Sequence, residues 1–112
     1  MTTLLLVLLV ALATPKVQPL YKCEGDSPQG KYTMPLSVEQ HGDSYLFVWA
    51  EGQIVGIGLR KENQLAVAFV NQKTGGVGVN LYEVADNQLR GEWNSGGKTY
   101  REVCTVGGGS NA

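Results

Sequence analysis

The chain has 112 residues, of which 43% are hydrophobic and 17% are charged, and its formal net charge is −1. This length suits one domain and the apolar content suffices for one core, which argues against a disordered chain or two ordinary domains. The nine basic and ten acidic residues do not cluster by sign, so neither nucleic acid nor an acidic membrane surface is expected as a partner.

Residues 1–13 differ from the rest of the chain. An apolar run extends from Leu4 to Ala13, and Ala11-Leu12-Ala13 supplies the small residues of an export-signal cleavage site. A membrane-spanning helix needs about 20 apolar residues, whereas this run has ten and is followed by Thr14. The residues before the run lack the basic charges that usually begin a signal peptide, so a membrane-spanning helix stays open as the alternative. We predict a removable signal peptide over 1–13 and a secreted or periplasmic protein with no stable membrane anchor after cleavage.

From Leu20 onward, segments rich in Val, Leu, Ile, Tyr, Phe and Trp alternate with short turns, as expected of antiparallel strands. The turns fall at residues 25–30, 41–43, 51–52, 61–63, 72–76, 86–87 and 95–97. Seven turns predict about eight strands. We therefore expect an all-β domain over residues 14–106, either a small antiparallel up-and-down β-barrel or a strongly rolled sheet. The Gly-rich residues 107–112 are predicted to form a flexible tail.

Two strands indicate which faces they present. In Tyr45–Trp49 three aromatic side chains alternate with two aliphatic ones, so both faces meet apolar surroundings and the strand is expected to be central. In the next strand Gly56 and Gly58 share one face, and large side chains from a neighbouring strand are expected to lie across them. The candidates are Tyr45, Phe47 and Trp49.

Two turns end alike, in Glu62-Asn63-Gln64-Leu65 and Asp86-Asn87-Gln88-Leu89. Asn adopts the left-handed backbone that tight hairpins need. Asn63 and Asn87 are therefore predicted at hairpin tips in that conformation. We interpret the similarity as recurring turn chemistry and not as an internal repeat.

Cys23 and Cys104 lie near the two ends of the domain. In an exported protein they are most simply one disulfide; the alternative is a pair of buried free thiols. In a flat ladder of eight strands, the first and last strands would lie at opposite edges. A closed, sheared barrel brings them together, so the predicted disulfide favours closure.

Few residues could carry catalysis. His41 is the only histidine and falls in a turn, so no nucleophile with a nearby base is evident. The run Gly75–Gly78 lacks the Lys and Ser/Thr of a phosphate-binding loop. Since no metal ligands stand at coordinating spacing, we predict no catalytic residue, no metal and no cofactor.

Three acidic residues fall within predicted strands. They are expected to face solvent, opposite basic residues of neighbouring strands. The acids are Glu83, Glu92 and Glu102, and the bases are Arg90, Lys98 and Arg101.

Aromatic side chains are the one feature that suggests recognition. The set is Tyr45, Phe47, Trp49, Phe69, Tyr82, Trp93 and Tyr100. An eight-stranded barrel is either filled by side chains or wide enough for one small ligand, and for 99 mature residues (112 minus 13) we expect it to be filled. A cavity above about 300 Å³ lined by Trp49 and Trp93 would instead favour a small ligand. The candidate ligand-binding residues are Tyr45, Trp49, Tyr82 and Trp93.

Several segments resemble a known sequence pattern. Residues 21–30, the run Gly42-Asp43-Ser44-Tyr45 with Trp49, the run Gly56–Leu59, and Leu89-Arg90-Gly91-Glu92-Trp93 are similar to small exported, mostly uncharacterised bacterial β-proteins. Those proteins carry Y-x-V-x-G-x-N-P-x-G and L-x-G-x-W motifs, and Cys23 stands where their pattern has an aliphatic residue. The resemblance implies topology and not activity.

Two weaker resemblances concern barrels with known roles. Gly91-x-Trp93 is similar to a motif of avidin-like and lipocalin-like barrels. Tyr21-x-Cys23 with a late Cys104 resembles periplasmic lysozyme inhibitors of the MliC type.

Three functions are compatible with these features. The leading hypothesis is a non-catalytic exported binding or interaction module, whose partner is a small molecule or an extracellular protein. The first alternative is an inhibitor of a secreted lysozyme or protease, with residues 71–78 entering the enzyme's cleft. The second is a structural subunit of an extracellular assembly, joined through the tail or an uncovered sheet edge.

Overall fold

The computed structural model describes residues 14–107. The predicted signal peptide, residues 1–13, and residues 108–112 of the predicted tail lie outside this range. Gly107 still belongs to the fold, because its N–H donates a hydrogen bond of 3.3 Å to the carbonyl of Leu20.

Eight antiparallel strands follow one another along the chain. They are β1 (Leu20–Ser27), β2 (Gly30–His41), β3 (Ser44–Trp49), β4 (Ile54–Lys61), β5 (Gln64–Asn71), β6 (Val77–Val84), β7 (Gln88–Ser95) and β8 (Lys98–Val106). Each strand pairs with the next, and β8 pairs with β1, so the sheet closes into a barrel. The predicted eight-stranded up-and-down barrel is confirmed. A 3₁₀ turn, Ala50–Gly52, joins β3 to β4. No helix within residues 14–107 has the length and apolar character needed to cross a bilayer.

The disulfide lies at the closure of the barrel. Cys23 on β1 stands directly opposite Cys104 on β8, and the two side chains are joined and fully buried. The closing ladder runs from Tyr21 opposite Val106 to Gly25 opposite Glu102. The bond that was predicted from two cysteines at the ends of the domain is thus confirmed, together with the closure that it favoured.

One half of the barrel interior is filled by side chains. This half lies at the end where the chain enters β1, and Val17 of the preceding segment packs against it. Its core consists of Tyr21, Leu36, Val38, Tyr45, Leu65, Val67, Val84 and Leu89. Every second residue of each strand points inward, as the strand period requires; in β3 the inward residues are the three predicted aromatics.

The glycines of β4 allow close packing in two ways. A Cβ on Gly56 would lie 3.2 Å from the Trp49 ring, so an aromatic side chain covers this glycine as predicted. A Cβ on Gly58 would instead meet Val67 at 3.0 Å and Leu65 at 3.3 Å. Aliphatic side chains of β5 therefore lie nearest to the space at Gly58, and Val67 also approaches Gly56, where a Cβ would lie 2.8 Å from Cγ1 of Val67.

Both predicted asparagine turns connect neighbouring strands, but their backbone differs from the expectation. In the β4–β5 turn the left-handed residue is Glu62, with φ of 58°, and not Asn63. Arg60 donates hydrogen bonds to the carbonyl of Glu62 and to the side chain of Asn63, which holds the turn in this form. Asn87 also has no positive φ in the described chain.

The outer wall of the barrel has two unlike halves. On four consecutive strands, β3 to β6, most of the outward side chains form an uncharged apolar surface that we call the outer apolar face; Lys61 and Glu83, at the ends of β4 and β6, lie outside it. It consists of Leu46, Val48, Val55, Ile57, Leu59, Ala66, Ala68, Val70, Val77, Val79 and Leu81. Strands β7, β8, β1 and β2 instead carry outward charged residues, among them Arg90, Glu92 and Arg101.

Candidate functional site

The other half of the barrel interior is open to solvent. A cavity of about 390 Å³, which we call the cup, lies at the end that carries the β1–β2, β3–β4, β5–β6 and β7–β8 connections. The interior is therefore filled at one end only, whereas the sequence led us to expect a filled barrel. The cup's floor includes two polar residues that are each 4% exposed, Asn80 and Glu102.

Aromatic rings from five strands form much of the cup's wall. They belong to Tyr32 (β2), Trp49 (β3), Phe69 (β5), Trp93 (β7) and Tyr100 (β8). Phe69 lies edge-on to both indoles, with ring centroids 6.1 Å from Trp49 and 6.1 Å from Trp93. Tyr100 packs against Trp93 at 4.7 Å. These ring contacts fix one another's orientation, so the wall is already formed without a ligand.

Glu102 lies in a row of five residues that runs around the barrel. Each member of the row lies directly opposite the next one on the neighbouring strand. In order, they are Tyr32 on β2, Gly25 on β1, Glu102 on β8, Gly91 on β7 and Tyr82 on β6. A glycine thus flanks the glutamate on each side. Because glycine has no side chain, each tyrosine can extend across it toward the carboxyl group.

The two tyrosines hold the carboxyl group from both sides. Tyr32 donates a hydrogen bond of 2.5 Å from its hydroxyl to Oε1 of Glu102, and the Tyr82 hydroxyl donates to Oε2. Since Tyr82 uses its proton on Glu102, it accepts at its oxygen from Nδ2 of Asn80, at 2.9 Å. Asn80, Tyr82, Glu102 and Tyr32 therefore form one hydrogen-bonded chain whose donors all point toward the carboxyl group.

Burial shifts the pKa values of the carboxyl group and the two phenols in this hydrogen-bonded chain. Loss of hydration raises the pKa of Glu102, and hydrogen bonds from Tyr32, Tyr82 and Trp49 oppose the rise only in part. Burial, and then the charge of Glu102, raise the pKa of both Tyr32 and Tyr82. The two phenols consequently stay protonated and remain hydrogen-bond donors at ordinary pH.

Two polar atoms of the cup have no hydrogen-bond partner within residues 14–107. They are Oδ1 of Asn80 and Nε1 of Trp93, and both are buried. The Trp93 N–H points toward the Tyr32 hydroxyl closely enough to lower its pKa, but the two groups are not in hydrogen-bond geometry. Buried polar groups are rarely left unpaired, so an acceptor and a donor are both available to a molecule in the cup.

The disulfide lies next to the buried carboxyl group. Sγ of Cys104 is 3.3 Å from Oε2 of Glu102; a disulfide sulfur carries no proton, so this contact is not a donated hydrogen bond. Ligating atoms of Cys23, Glu102 and Cys104 lie within 4.8 Å of one another. Metal binding requires thiolates, and both sulfurs are committed to the disulfide, so this cluster does not form a metal site.

Two of the four predicted ligand-binding residues line the same cavity. Trp49 and Trp93 line the cup. Tyr82, 1% exposed, lies behind the floor and reaches the cup only through Asn80 and Glu102. Tyr45 belongs to the filled end, next to the β2–β3 turn, and does not line the cavity.

The sequence analysis did not predict Glu102 as a site residue, because its side chain was expected to face solvent. Glu83 and Glu92 do point outward, opposite Arg90 and Arg101 as predicted, but Glu102 points into the barrel. The prediction for Glu102 is wrong because a strand turns every second residue to the same face. Cys104, two residues further along β8, had to face its disulfide partner inside.

Two other segments were considered for function. His41 is exposed, with Nε2 3.4 Å from Glu39, as expected of a solvated turn residue. Of the predicted inhibitory loop 71–78, residues 77 and 78 belong to β6. The remainder is fixed by Asn71, whose side chain accepts hydrogen bonds from the N–H groups of Lys73 and Thr74, and it contributes to the rim of the cup.

Comparison with protein-family models and with curated proteins gives no match to this chain. The resemblances noted in the sequence therefore stay predictions.

Proposed function

We propose that this protein is an exported binding protein without catalytic activity, and that it holds a small molecule in the cup. The observation that carries the proposal is a cavity of about 390 Å³ lined by Trp49 and Trp93. Ligand pockets usually occupy about 300–1,000 Å³ and combine apolar walls with a few polar groups. The unpaired atoms of Asn80 and Trp93 are such polar groups.

The scaffold supports binding because the cup is preorganised. The barrel is closed by a ladder and a disulfide between β1 and β8, and the aromatic wall is held by ring contacts. A site that does not have to be ordered on binding loses less conformational entropy. The preorganised wall of the cup therefore favours binding of a small ligand.

The absence of catalysis is inferred from the groups that line the cup. Among the described residues, its lining contains one carboxyl group, that of Glu102, and no histidine, lysine or free thiol. Both oxygens of that carboxyl accept hydrogen bonds from tyrosines. Acid–base and nucleophilic catalysis commonly use a histidine, a lysine, a thiol or a second carboxyl group, and Tyr32, the titratable group of this lining that contacts Glu102, is kept protonated by its raised pKa.

Export is proposed on two grounds. Disulfides persist mainly in oxidising compartments, and the bond between Cys23 and Cys104 is buried in the core. The predicted signal peptide over 1–13 points the same way. A bacterial origin follows only from the sequence resemblance.

The proposal is tested by nuclear magnetic resonance on ¹⁵N-labelled protein titrated with 2-phenylethanol, a neutral aromatic probe. The chain has two tryptophans, and both line the cup, so their two indole N–H signals report on it directly. We expect saturable shifts of both signals in the millimolar range. Tyr45→Phe, at the filled end, is the control and should not alter the affinity, whereas Tyr100→Leu in the wall should weaken it. Indole signals that do not respond would contradict the proposal.

A second candidate function is self-association through the outer apolar face. Several of its side chains are more than half exposed, with Ile57 at 60% and Val77 at 65%. From strand spacing and rise, the face covers about 400 Å², half of the roughly 800 Å² that each partner contributes to a standard interface. It would be the centre of an interface whose rim comes from the bordering strands.

We assign a second copy of the chain as the occupant of this face. The face is uncharged and continuous across β3 to β6, so it can pack on itself about a two-fold axis. The sheet edge that was first suggested as an assembly surface is absent from the described barrel, since β1 pairs with β8. A mass that doubles with concentration, and that Ile57→Lys but not Thr33→Lys keeps monomeric, would support this function. A monomer at millimolar concentration would contradict it.

A further inference from the structure

We infer that the ligand of the cup is a small organic cation, a protonated amine attached to a flat apolar ring. This inference rests on the proposed function, because it names the class of molecule that the cup would hold. Three features of the cup lead to it: a buried carboxylate without a counter-ion, a wall of aromatic rings, and a buried acceptor without a donor.

The first feature is the charge at the floor. Glu102 is 4% exposed, and no ion pair within residues 14–107 includes it. Two tyrosine hydroxyls donate to its oxygens, which suits the ionised form, since a carboxylate is acceptor-only. A buried charge without a counter-ion is costly. A cationic ligand would supply the missing positive charge.

The second feature is the wall above that charge. Tyr32, Trp49, Phe69, Trp93 and Tyr100 line the same cavity as Glu102. The face of an aromatic ring carries negative potential and attracts cations, most strongly for Trp. A cation over one of these faces would be attracted by the ring and by the carboxylate, whereas an anion in the same cavity would be repelled by the carboxylate. The electrostatics of wall and floor therefore favour the same sign of ligand charge.

The third feature is the orientation of Asn80. Its Nδ2 donates to Tyr82, whose own proton goes to Glu102. The atom of Asn80 that remains free is thus the acceptor Oδ1, which is buried and has no donor within the described chain. An ammonium N–H can donate to it, whereas a quaternary ammonium cannot. The free N–H of Trp93 would in turn donate to a hydroxyl or carbonyl of the ligand.

Glu102 is the group whose titration should control binding. Tyr32 on β2 and Tyr82 on β6 face the Glu102 carboxyl group, and the pKa values of both tyrosines are raised. The neighbouring strands β1 and β7 place Gly25 and Gly91 opposite Glu102, and neither residue has a titratable side chain. The disulfide also contacts the carboxyl group. Asp26, whose charge acts on Tyr32, is ion-paired with Lys31 at 2.7 Å outside the cup. An alkylamine stays protonated at acidic and neutral pH.

The inference is tested with three probes of one shape, 2-phenylethylammonium, 2-phenylethanol and phenylacetate, titrated by calorimetry and by the indole N–H signals. At neutral pH we expect the cation to bind about tenfold or more tightly than the alcohol, and phenylacetate to bind most weakly. Glu102→Gln should bring the cation and the alcohol to similar affinity. In the wild-type protein the same loss of preference should follow acidification through the pKa of Glu102, which provides the test if the variant does not fold.

Each outcome decides between the two proposals. Equal binding of cation and alcohol by the wild-type protein, or a preference for phenylacetate, would overturn the inference and leave the proposed function standing. Failure of all three probes to move the indole signals would contradict the proposed function itself. Equal binding of the N,N,N-trimethyl derivative of the amine would overturn the role of Asn80 as the acceptor.

Discussion

Tyr32 and Tyr82 donate hydrogen bonds to the two oxygens of a single carboxylate, although three strands lie between theirs in the barrel. They meet at Glu102 because Gly25 and Gly91 stand between each tyrosine and the glutamate. Two residues without side chains thus create the space for a buried polar chain. Asn80 and Glu102 of this hydrogen-bonded chain lie in the floor of the cup, and Glu102 sets its charge.

The space at Gly25 is therefore expected to be necessary for stability. A Cβ there would lie 2.6 Å from Cζ of Tyr32 and 2.5 Å from the carbonyl oxygen of Arg101. We expect Gly25→Ala to lower the free energy of unfolding by about 1–3 kcal/mol, measured by urea denaturation. Gly76→Ala is the matched control, since its Cβ would meet only Oγ1 of Thr74, at 3.3 Å. Equal effects of the two substitutions would show that the space is not needed.

The buried carboxyl group should also make stability depend on pH. Burial raises the pKa of Glu102 above its ordinary value of 4.5, so between these two values the folded state binds more protons than the unfolded state. The free energy of unfolding should therefore fall as pH rises through this window. Relative to Glu102→Gln, the wild-type protein should be more stable at acidic pH and lose that advantage toward neutral pH. A difference that is constant, or that grows with pH, would contradict the assignment.

The sequence predicted the barrel because its signals are local or topological. Turn residues recur between apolar segments, and two cysteines at the ends of the domain required the first and last strands to meet. The cup was not predicted, because whether a barrel end is filled depends on the volumes of side chains from several strands. The left-handed residue at Glu62 likewise depends on hydrogen bonds from Arg60, which turn statistics do not include.

The site was only partly predictable for a related reason. Trp49 and Trp93 were named as candidate ligand-binding residues, and both line the cup. Glu102 was assigned to the surface because charged residues are usually exposed, although Tyr100 and Cys104 share its face of β8. Consistent use of alternation from Cys104 would have placed Glu102 inside. Its tyrosine partners come from β2 and β6 and could be identified only from the register across two glycines.

The disulfide is expected to contribute strongly to stability. It joins residues 81 positions apart, and on the chain-entropy account closing such a loop in the unfolded state stabilises the fold by about 4.5 kcal/mol. The double substitution Cys23→Ala with Cys104→Ala should lower the free energy of unfolding by an amount of this order in urea. Near-native circular dichroism is expected to persist, since the ladder between β1 and β8 remains. An unchanged midpoint would contradict the prediction.

The free N–H of Trp93 should recognise an acceptor on the ligand. We expect 2-amino-1-phenylethanol to bind the wild-type protein about three- to tenfold more tightly than 2-phenylethylamine, as one additional hydrogen bond allows. Trp93→Phe retains an aromatic ring without the N–H and should abolish this gain. Calorimetric titration of both ligands against both proteins gives the comparison. If the hydroxyl group improves binding equally in the variant, Trp93 is not its donor.

Binding of a protonated amine in the cup can be observed in a crystal structure of the protein saturated with 2-phenylethylammonium. We expect the ring of the ligand between Trp49 and Trp93, and its ammonium nitrogen about 3 Å from Oδ1 of Asn80. A ligand that is instead ordered on the outer apolar face or at the filled end near Tyr45, with the cup occupied by water alone, would contradict it.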